Sequence, residues 1–127
     1  MTRINRDRRA ALMLALMSLA LGACARHERQ VLLPGGDDRR GRELIDRYGC
    51  GTCHVVPGTG SARGQVGPPL DGIAHRSYIG GTLPNTPDNM VLFIRQPQKV
   101  RPGSAMPDLG IPEHEARDVA AYLYTLK

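Results

Sequence analysis

The stretch Cys50-Gly51-Thr52-Cys53-His54 decides the fold of this chain of 127 residues. Two thiols three positions apart can each form a thioether with one vinyl group of a porphyrin, and the adjacent histidine can give its imidazole to the iron. The alternatives are a redox dithiol and part of a zinc site. A thioredoxin-like dithiol expects a βαβ setting, and a structural zinc site needs four ligands, yet no second Cys-x-x-Cys follows. The motif therefore predicts one covalent c-type haem on Cys50 and Cys53, with His54 as an axial ligand.

The first 23 residues have the organisation of an export signal. Four arginines precede an apolar run from Ala10 to Leu21, which is short for a membrane span. The run ends in Leu21-Gly22-Ala23-Cys24, which resembles the lipobox of bacterial lipoprotein precursors. Haem attachment leaves Cys24 as an odd cysteine, and acylation would account for it. We therefore predict a cleaved signal and a lipidated Cys24; an ordinary signal peptide or an uncleaved anchor is the alternative.

The predicted organisation has three parts. Residues 1–23 form the lipoprotein signal peptide, residues 24–37 the lipidated cysteine and a flexible tether, and residues 38–127 the folded domain. The formal charge of +5 reflects 17 basic and 12 acidic side chains. The signal removes four arginines and one aspartate, which leaves 13 basic and 11 acidic side chains. Two haem propionates would bring that balance close to zero, so nucleic-acid binding has no support.

Hydrophobic periodicity predicts an all-α domain of about three to four helices with no convincing strand. We expect a first helix capped by Asp37 or Asp38 and ended by Gly49, with Gly41 allowing the close crossing of another backbone. A second helix begins at Thr86-Pro87-Asp88 and stops at Pro97, and a last helix opens at Pro112-Glu113 and runs nearly to Lys127. Their apolar faces are Gly41, Leu44, Ile45 and Tyr48; Met90, Phe93 and Ile94; and Ala116, Val119, Ala120 and Leu123.

Two proline-containing loops complete the pattern. In Gly67-Pro68-Pro69-Leu70, one carbonyl is placed to accept the Nδ1–H of an axial histidine, although a plain turn remains possible. Met106 lies in the tight loop Pro102–Pro107, outside any helix, and is the predicted sixth ligand. The other candidates are Met90, which fits the core of a helix, His75, His114, or no ligand. His/Met ligation would raise the potential and close the iron to oxygen, which favours electron transfer over catalysis.

The order and spacing of Cys50–His54, Gly67–Leu70 and Pro102–Pro107 resemble a class I cytochrome c over roughly residues 38–127. Residues 81–89, together with Gln96-Pro97, are similar to the cytochrome c domain fused to subunit II of caa-type cytochrome c oxidases. We expect that domain here as a stand-alone lipoprotein, without the copper domain and membrane helices of the subunit.

The resemblance implies a class I cytochrome c fold wrapped around one covalently bound haem c. It places the family's proline carbonyl at Pro68, the haem-packing leucine at Leu70, and a neighbour of a propionate at Arg76. Tyr122 and Leu123 match residues of the last helix that pack against the first helix and the haem.

Two departures from the family concern the surroundings of the sixth ligand and the docking face. A tyrosine of many mitochondrial relatives is Phe93 here, so no hydroxyl can bond the methionine sulfur. Of the lysine ring of those relatives, Lys99 and Arg101 remain near Met106, while Gln98 and Ala105 are neutral. Strongly electrostatic docking is therefore not expected.

The function that the resemblance implies is one-electron transfer by a carrier, not an enzyme. The export signal and the lipidated Cys24 would place this carrier on the periplasmic face of a bacterial membrane. The family's donor is a quinol–cytochrome c oxidoreductase and its acceptor a haem–copper terminal oxidase. The competing hypothesis is a haem c subunit of a dedicated dehydrogenase or reductase. A haem sensor or peroxidase would need an open sixth position.

Overall fold

The computed structural model describes residues 33–60 and 63–127, which form one compact unit. The signal peptide, Cys24, His27 and the tether up to residue 32 lie outside the described residues. The helices are α1 (Asp38–Arg47), α2 (Pro87–Arg95), α3 (Pro97–Val100) and α4 (Glu113–Leu123). Short 3-10 turns lie at Cys50–Thr52 and Ile73–His75, and a hairpin pairs β1 (Tyr78–Ile79) with β2 (Leu83–Pro84). Within the described ranges, no helix has the length and apolarity to cross a membrane.

Helix α1 begins and ends as its local sequence predicts. The Asp37 carboxylate accepts a hydrogen bond from the Arg40 backbone N–H at 3.0 Å, which satisfies one of the free donors of the first turn. Gly49 adopts a φ of +68°, the left-handed conformation that commonly ends a helix. Gly41, Leu44 and Ile45 are buried, so the predicted apolar face of α1 is confirmed.

The crossing of α1 with α4 is the tightest backbone approach of the core. A Cβ atom added to Gly41 would lie 1.9 Å from the Asp118 carbonyl oxygen, closer than any side chain permits. The α4 side of this crossing buries the predicted face, which consists of Ala116, Val119, Ala120 and Leu123. Glycine at position 41 is therefore required by the contact between the two helices.

The folded unit begins earlier than the predicted boundary at residue 38. Leu33 is only 5% exposed and belongs to the hydrophobic core. Gly36 lies against α4, because a Cβ atom there would be 2.8 Å from both Ala121 Cβ and the Arg117 carbonyl oxygen. We call Leu33–Asp37 the N-terminal arm; it packs on α4, although its Pro34-Gly35-Gly36 composition is typical of a tether.

Asp118 attaches the N-terminal arm to α4. It is fully buried, and its carboxylate accepts hydrogen bonds from the Asp37 N–H at 2.8 Å and the Arg40 Nε at 2.6 Å. The Arg40 Nη2 also pairs with Asp118 Oδ2 at 2.6 Å. The arm covers a side of α4 that the predicted apolar face does not include.

The prediction of no strand is wrong for residues 78–84. Ile79 pairs with Leu83 and Tyr78 with Pro84 in an antiparallel register. Gly80 and Gly81 turn the chain at φ values of +57° and +76°. Each strand has two residues, which is too short for alternating hydrophobicity to be recognised in a sequence.

The chain continues differently from the prediction after α2 and after α4. Helix α2 is capped by Thr86 and ends at Arg95, just before Pro97, as predicted. Pro97 also begins the unpredicted short helix α3, since the first helical position needs no backbone N–H. Helix α4 ends at Leu123 and not close to Lys127. The Leu126 carbonyl instead accepts a hydrogen bond from the Ala74 N–H at 3.2 Å.

Candidate haem site

The Cys-x-x-Cys-His motif forms a single 3-10 turn that follows α1. The backbone N–H groups of Cys53 and His54 both donate to the Cys50 carbonyl, at 3.2 and 3.0 Å. Both cysteines are half-buried thiols, and burial raises the pKa of Cys50 above its ordinary value. Gly51 is the buried residue of this turn, which carries both thiols and leads directly into His54.

His54 is oriented by the proline segment. Its Nδ1 lies 2.7 Å from the Pro68 carbonyl oxygen. Because a carbonyl can only accept, Nδ1 carries the proton and Nε2 is left with its lone pair for a metal. Gly67 passes directly over the ring, since a Cβ atom there would lie 2.2 Å from His54 Cε1. The segment thus fixes both the tautomer and the tilt of the imidazole.

Arg76 and Leu70 support the same segment. The Arg76 Nη2 donates to the Pro69 carbonyl at 2.5 Å and to the Asp71 carbonyl at 3.0 Å. The Leu70 N–H donates to the Val55 carbonyl at 2.8 Å, and its half-buried side chain packs against the core. The guanidinium therefore stabilises the backbone that carries Pro68.

The loop around Met106 is held mainly by polar contacts. The Met106 N–H donates to Ser104 Oγ at 3.2 Å. The Gln98 side chain, projecting from α3, donates from Nε2 to the Ser104 carbonyl at 2.7 Å and to the Met106 carbonyl at 2.6 Å. We call residues 101–110 the methionine loop; within it only Ser104 and Met106 are half-buried, and the others are exposed.

The other candidates for the sixth ligand lie in different settings. Met90, on α2, is 3% exposed and belongs to the hydrophobic core. His75 is exposed at the end of a 3-10 turn. The side chain of His114 is 69% exposed, with its Nε2 4.0 Å from Glu115 Oε1. Met106 differs from all three in being a half-buried thioether on a loop.

The residues present fit a covalent haem c. They supply two neighbouring thiols, an imidazole with a free Nε2, and a thioether on a separate loop, which is the donor set of a His/Met haem. Partly buried apolar side chains pack against the core and keep some surface open; among them are Tyr48, Leu70, Ala74, Leu83 and Phe93. An apolar macrocycle could cover that remaining surface.

Sequence reasoning missed three residues of functional interest. In the sequence, Gln98 is notable only as a neutral residue at a position where relatives carry a charge. Ser104 belongs to a loop, and Asp118 lies outside the apolar face of α4. Gln98 and Ser104 do carry a weak signal in the sequence. Polar side chains such as these, in a short helix or in a loop, often bond backbone groups that lack a partner in regular secondary structure.

Comparison with known proteins agrees with this geometry. The family model described as "Cytochrome c" matches residues 39–127. Cytochrome c oxidase subunit 2 of Alkalihalophilus pseudofirmus is 35% identical over 89 residues, which cover 69% of this chain and 25% of that protein. Cytochrome c2 of Rhodopila globiformis is 34% identical over 108 residues, covering 74% of this chain and 97% of that protein. Cytochrome c of Tetrahymena pyriformis is 29% identical over 104 residues, covering 76% and 94%.

The chain thus spans a quarter of the length of the oxidase subunit but nearly the full length of the two small cytochromes. The matched region contains the Cys-x-x-Cys-His turn, the proline segment and the methionine loop. This chain belongs to the cytochrome c family, whose members are electron-transfer proteins with covalently bound haem c.

Proposed function

We propose that the protein is a membrane-anchored mono-haem carrier of single electrons that delivers them to a haem–copper cytochrome c oxidase. Cys50 and Cys53 attach the haem, and His54 and Met106 are the axial ligands. The observation that carries this proposal is the 2.7 Å contact of His54 Nδ1 with the Pro68 carbonyl, which prepares Nε2 for iron. Haem c supplies reversible one-electron chemistry when bound; the chain supplies its orientation, its ligands and its shielding from water.

Ligation by a thioether suits a carrier better than a catalyst. A filled sixth position leaves no site for oxygen or peroxide, and a methionine ligand raises the potential. Leu70 and Phe93 are partly buried apolar side chains that pack against the core, and apolar groups beside a bound haem would limit the entry of water. His54 and Met106 would therefore hold a bound haem iron in the same way in both of its oxidation states.

Two observations support an oxidase as the electron acceptor. The first is the similarity to a protein named cytochrome c oxidase subunit 2. The second is the weak charge of the surface close to the methionine loop: Lys99 is exposed, while the Arg101 Nη1 donates to the Gly80 carbonyl at 3.1 Å. A carrier held beside its acceptor needs less long-range electrostatic steering than one that diffuses through solution.

The anchor that we propose is a lipidated Cys24 on the periplasmic face of a bacterial membrane. Because the N-terminal arm begins at Leu33, only residues 25–32 would connect the lipid to the folded unit. If these eight residues are flexible, they span on the order of 15 Å. Two or more acyl chains hold a protein stably where one does not. The haem domain would then stay close to the bilayer and meet membrane-bound partners at a raised local concentration.

The ligands can be tested with Met106→Ala, with Met90→Leu as the matched control for a buried methionine. The Met106 variant should keep its haem, lose the far-red absorption band typical of ferric haem with a methionine sulfur ligand, and show a lower potential. Met90→Leu should keep the band. If the band survives in Met106→Ala and disappears in Met90→Leu, Met90 is the ligand.

The anchor and the partner need separate measurements. Cys24→Ser should abolish the acyl increment in the intact mass of the detergent-extracted protein while leaving the haem spectrum unchanged. An unmodified Cys24 in the wild type would contradict the anchor alone.

For the partner, reduced protein should be oxidised by purified haem–copper oxidase at a rate that saturates as the concentration of the reduced protein rises. Fast exchange with a co-purifying dehydrogenase and none with the oxidase would favour the alternative of a dehydrogenase subunit.

A further inference from the structure

The side chain of Gln98 connects two elements that are separated by an exposed turn. It projects from α3 and donates to the carbonyls of Ser104 and Met106, at 2.7 and 2.6 Å. A primary amide has two N–H donors, and here both are accounted for by these two carbonyls. The amide therefore bonds the backbone of Met106 itself and that of the residue two positions before it.

The base of this contact is firmly held. Pro97, the first residue of α3, is fully buried, and its carbonyl accepts a hydrogen bond from the Arg101 N–H at 2.8 Å. The Lys99 N–H donates to the Gln96 carbonyl at 3.1 Å. Gln98 is itself half-buried, and its amide reaches the loop from a short helix whose first residue, Pro97, is buried.

At its first residue the methionine loop is attached by Arg101, which donates to the carbonyls of Pro97 and Gly80. Beyond Arg101 it has little besides Gln98 to keep it in place. Pro102, Gly103, Ala105, Pro107 and Asp108 are exposed, so they bury little apolar surface that would favour the closed position. Gly103, at a φ of +79°, lies in open space. The contact from Met106 N–H to Ser104 Oγ at 3.2 Å is internal to the loop and does not connect it to the rest of the protein.

We propose that Gln98 is a positioning residue that holds the methionine loop closed and so sets how readily an external ligand replaces Met106 on the iron. This inference rests on the proposed role of Met106 as an axial ligand. The external ligands concerned are small neutral nitrogen bases such as imidazole. With haem bound, such a ligand would replace the iron–sulfur bond of Met106 by an iron–nitrogen bond, with no change in oxidation state.

The expected size of the effect follows from the two hydrogen bonds. A net neutral hydrogen bond corresponds to about a fivefold change in an equilibrium constant. An external ligand binds only the open loop, so its apparent affinity is reduced by the fraction of the protein that is open. Loss of one or both bonds should therefore lower the apparent Kd for imidazole by about 5- to 25-fold.

The test uses the full-length ferric protein and compares Gln98→Leu with Lys99→Leu, the same substitution at the adjacent exposed position of α3. Imidazole is titrated while the far-red band is followed, and the potential is measured in parallel. Gln98→Leu should bind imidazole about 5- to 25-fold more tightly and show a lower potential, whereas Lys99→Leu should match the wild type in its imidazole affinity.

Gln98→Glu provides a second variant of nearly the same shape, which loses both donors when ionised. It should behave like Gln98→Leu, and it decides the question if the leucine variant does not fold. A wild-type imidazole affinity in a folded Gln98→Leu or Gln98→Glu protein would overturn the role of Gln98. Absence of the far-red band from the wild type would instead contradict the ligand role of Met106.

Discussion

The helix crossing and the methionine loop hold their shapes by different means. We use "helix crossing" for α1, α4 and the N-terminal arm Leu33–Asp37. There the backbones of Gly41 and Asp118 touch, and the apolar faces of both helices are buried. In the methionine loop most side chains are exposed, and the Gln98 amide donates to two of the loop's backbone carbonyls.

The difference shows where this polypeptide forms its own core and where its shape serves a cofactor. Side chains interdigitate where helix meets helix, because that contact removes apolar surface from water. Around the haem site, backbone carbonyls and polar side chains set the positions of His54 and Met106. Substitutions that change side-chain volume or a buried charge should therefore affect the helix crossing most. The methionine loop should respond instead to the loss of hydrogen-bond donors and to the loss of the haem.

Loss of the haem should have the largest effect and should separate the two regions. We expect the double variant Cys50→Ala, Cys53→Ala to lose most of its helical circular dichroism, because a domain this small has a limited core without the macrocycle. Residual protection of amide hydrogens from exchange should be confined to Leu44–Ile45 and Val119–Leu123. Native-like dichroism, or equal protection at Gln98–Met106, would show that the polypeptide core suffices.

Among single substitutions, adding a methyl group at the helix crossing should cause the largest loss of stability. In an isolated helix, Gly→Ala is favourable by about 1 kcal/mol. At Gly41 the added Cβ would lie 1.9 Å from the Asp118 carbonyl oxygen, so α4 must shift. We expect Gly41→Ala to lower the free energy of unfolding by roughly 3 kcal/mol, measured in guanidinium chloride. Gly60→Ala is the control and should change little, because among the described residues no atom beyond the chain neighbours lies within 4 Å of the added Cβ. A more stable Gly41→Ala protein would refute the close crossing.

Removing the partner of the buried Asp118 carboxylate should cause the next largest loss of stability. The side chain of Asp118 is 0% exposed and that of Arg40 is 54% exposed, so only the aspartate depends on its partner for solvation. Arg40→Met should destabilise by about 2 kcal/mol, because Asp118 keeps only the Asp37 N–H. This is less than for a fully buried pair, since water screens the guanidinium. Arg39→Met, on an exposed neighbour, is the control; equal effects of the two substitutions would mean that the pair contributes nothing.

The helix crossing was largely predictable because its signals are local. Caps at Asp37 and Thr86, the period of buried residues in α1, and a glycine on the apolar face all follow from rules that span a few positions. What was missed there is Asp118, which is buried by an arm some 80 positions away in the sequence. Glycine and proline in that arm resemble a tether, and only tertiary contact shows otherwise.

The sequence predicts the candidate ligands of the haem site, but it does not predict the residues that support them. Cys50, Cys53, His54 and Met106 stand out because their chemistry is specific to their spacing. Gln98 does not, since its amide bonds backbone carbonyls that any residue could offer. The hairpin at residues 78–84 escaped because two-residue strands carry no periodicity.

The smallest effect that we predict is a loss of stability in alkali, and it belongs to the helix crossing and its neighbours. A hydrogen bond to Glu115, followed by burial, raises the pKa of Tyr48, and burial raises the pKa of Tyr122 and Tyr124. Tyr122 donates to the Pro57 carbonyl at 2.6 Å, and Tyr124 to Asn85 Oδ1 at 2.8 Å.

A raised tyrosine pKa means that the folded protein binds these protons more tightly than the unfolded chain does. The resulting stability is fully present below the ordinary tyrosine pKa of about 10 and is lost as the pH rises through the folded values. The free energy of unfolding should therefore fall above about pH 10. Tyr122→Phe and Tyr124→Phe should show a shallower fall, at a cost of about 1 kcal/mol each at neutral pH from the lost hydrogen bond.

The far-red band, recorded in the same samples, distinguishes this loss of stability from the release of Met106. The two variants should leave the pH at which Met106 is released unchanged. If tyrosinate absorption in the folded protein appears at the same pH as in the unfolded chain, these hydroxyls do not support the crossing.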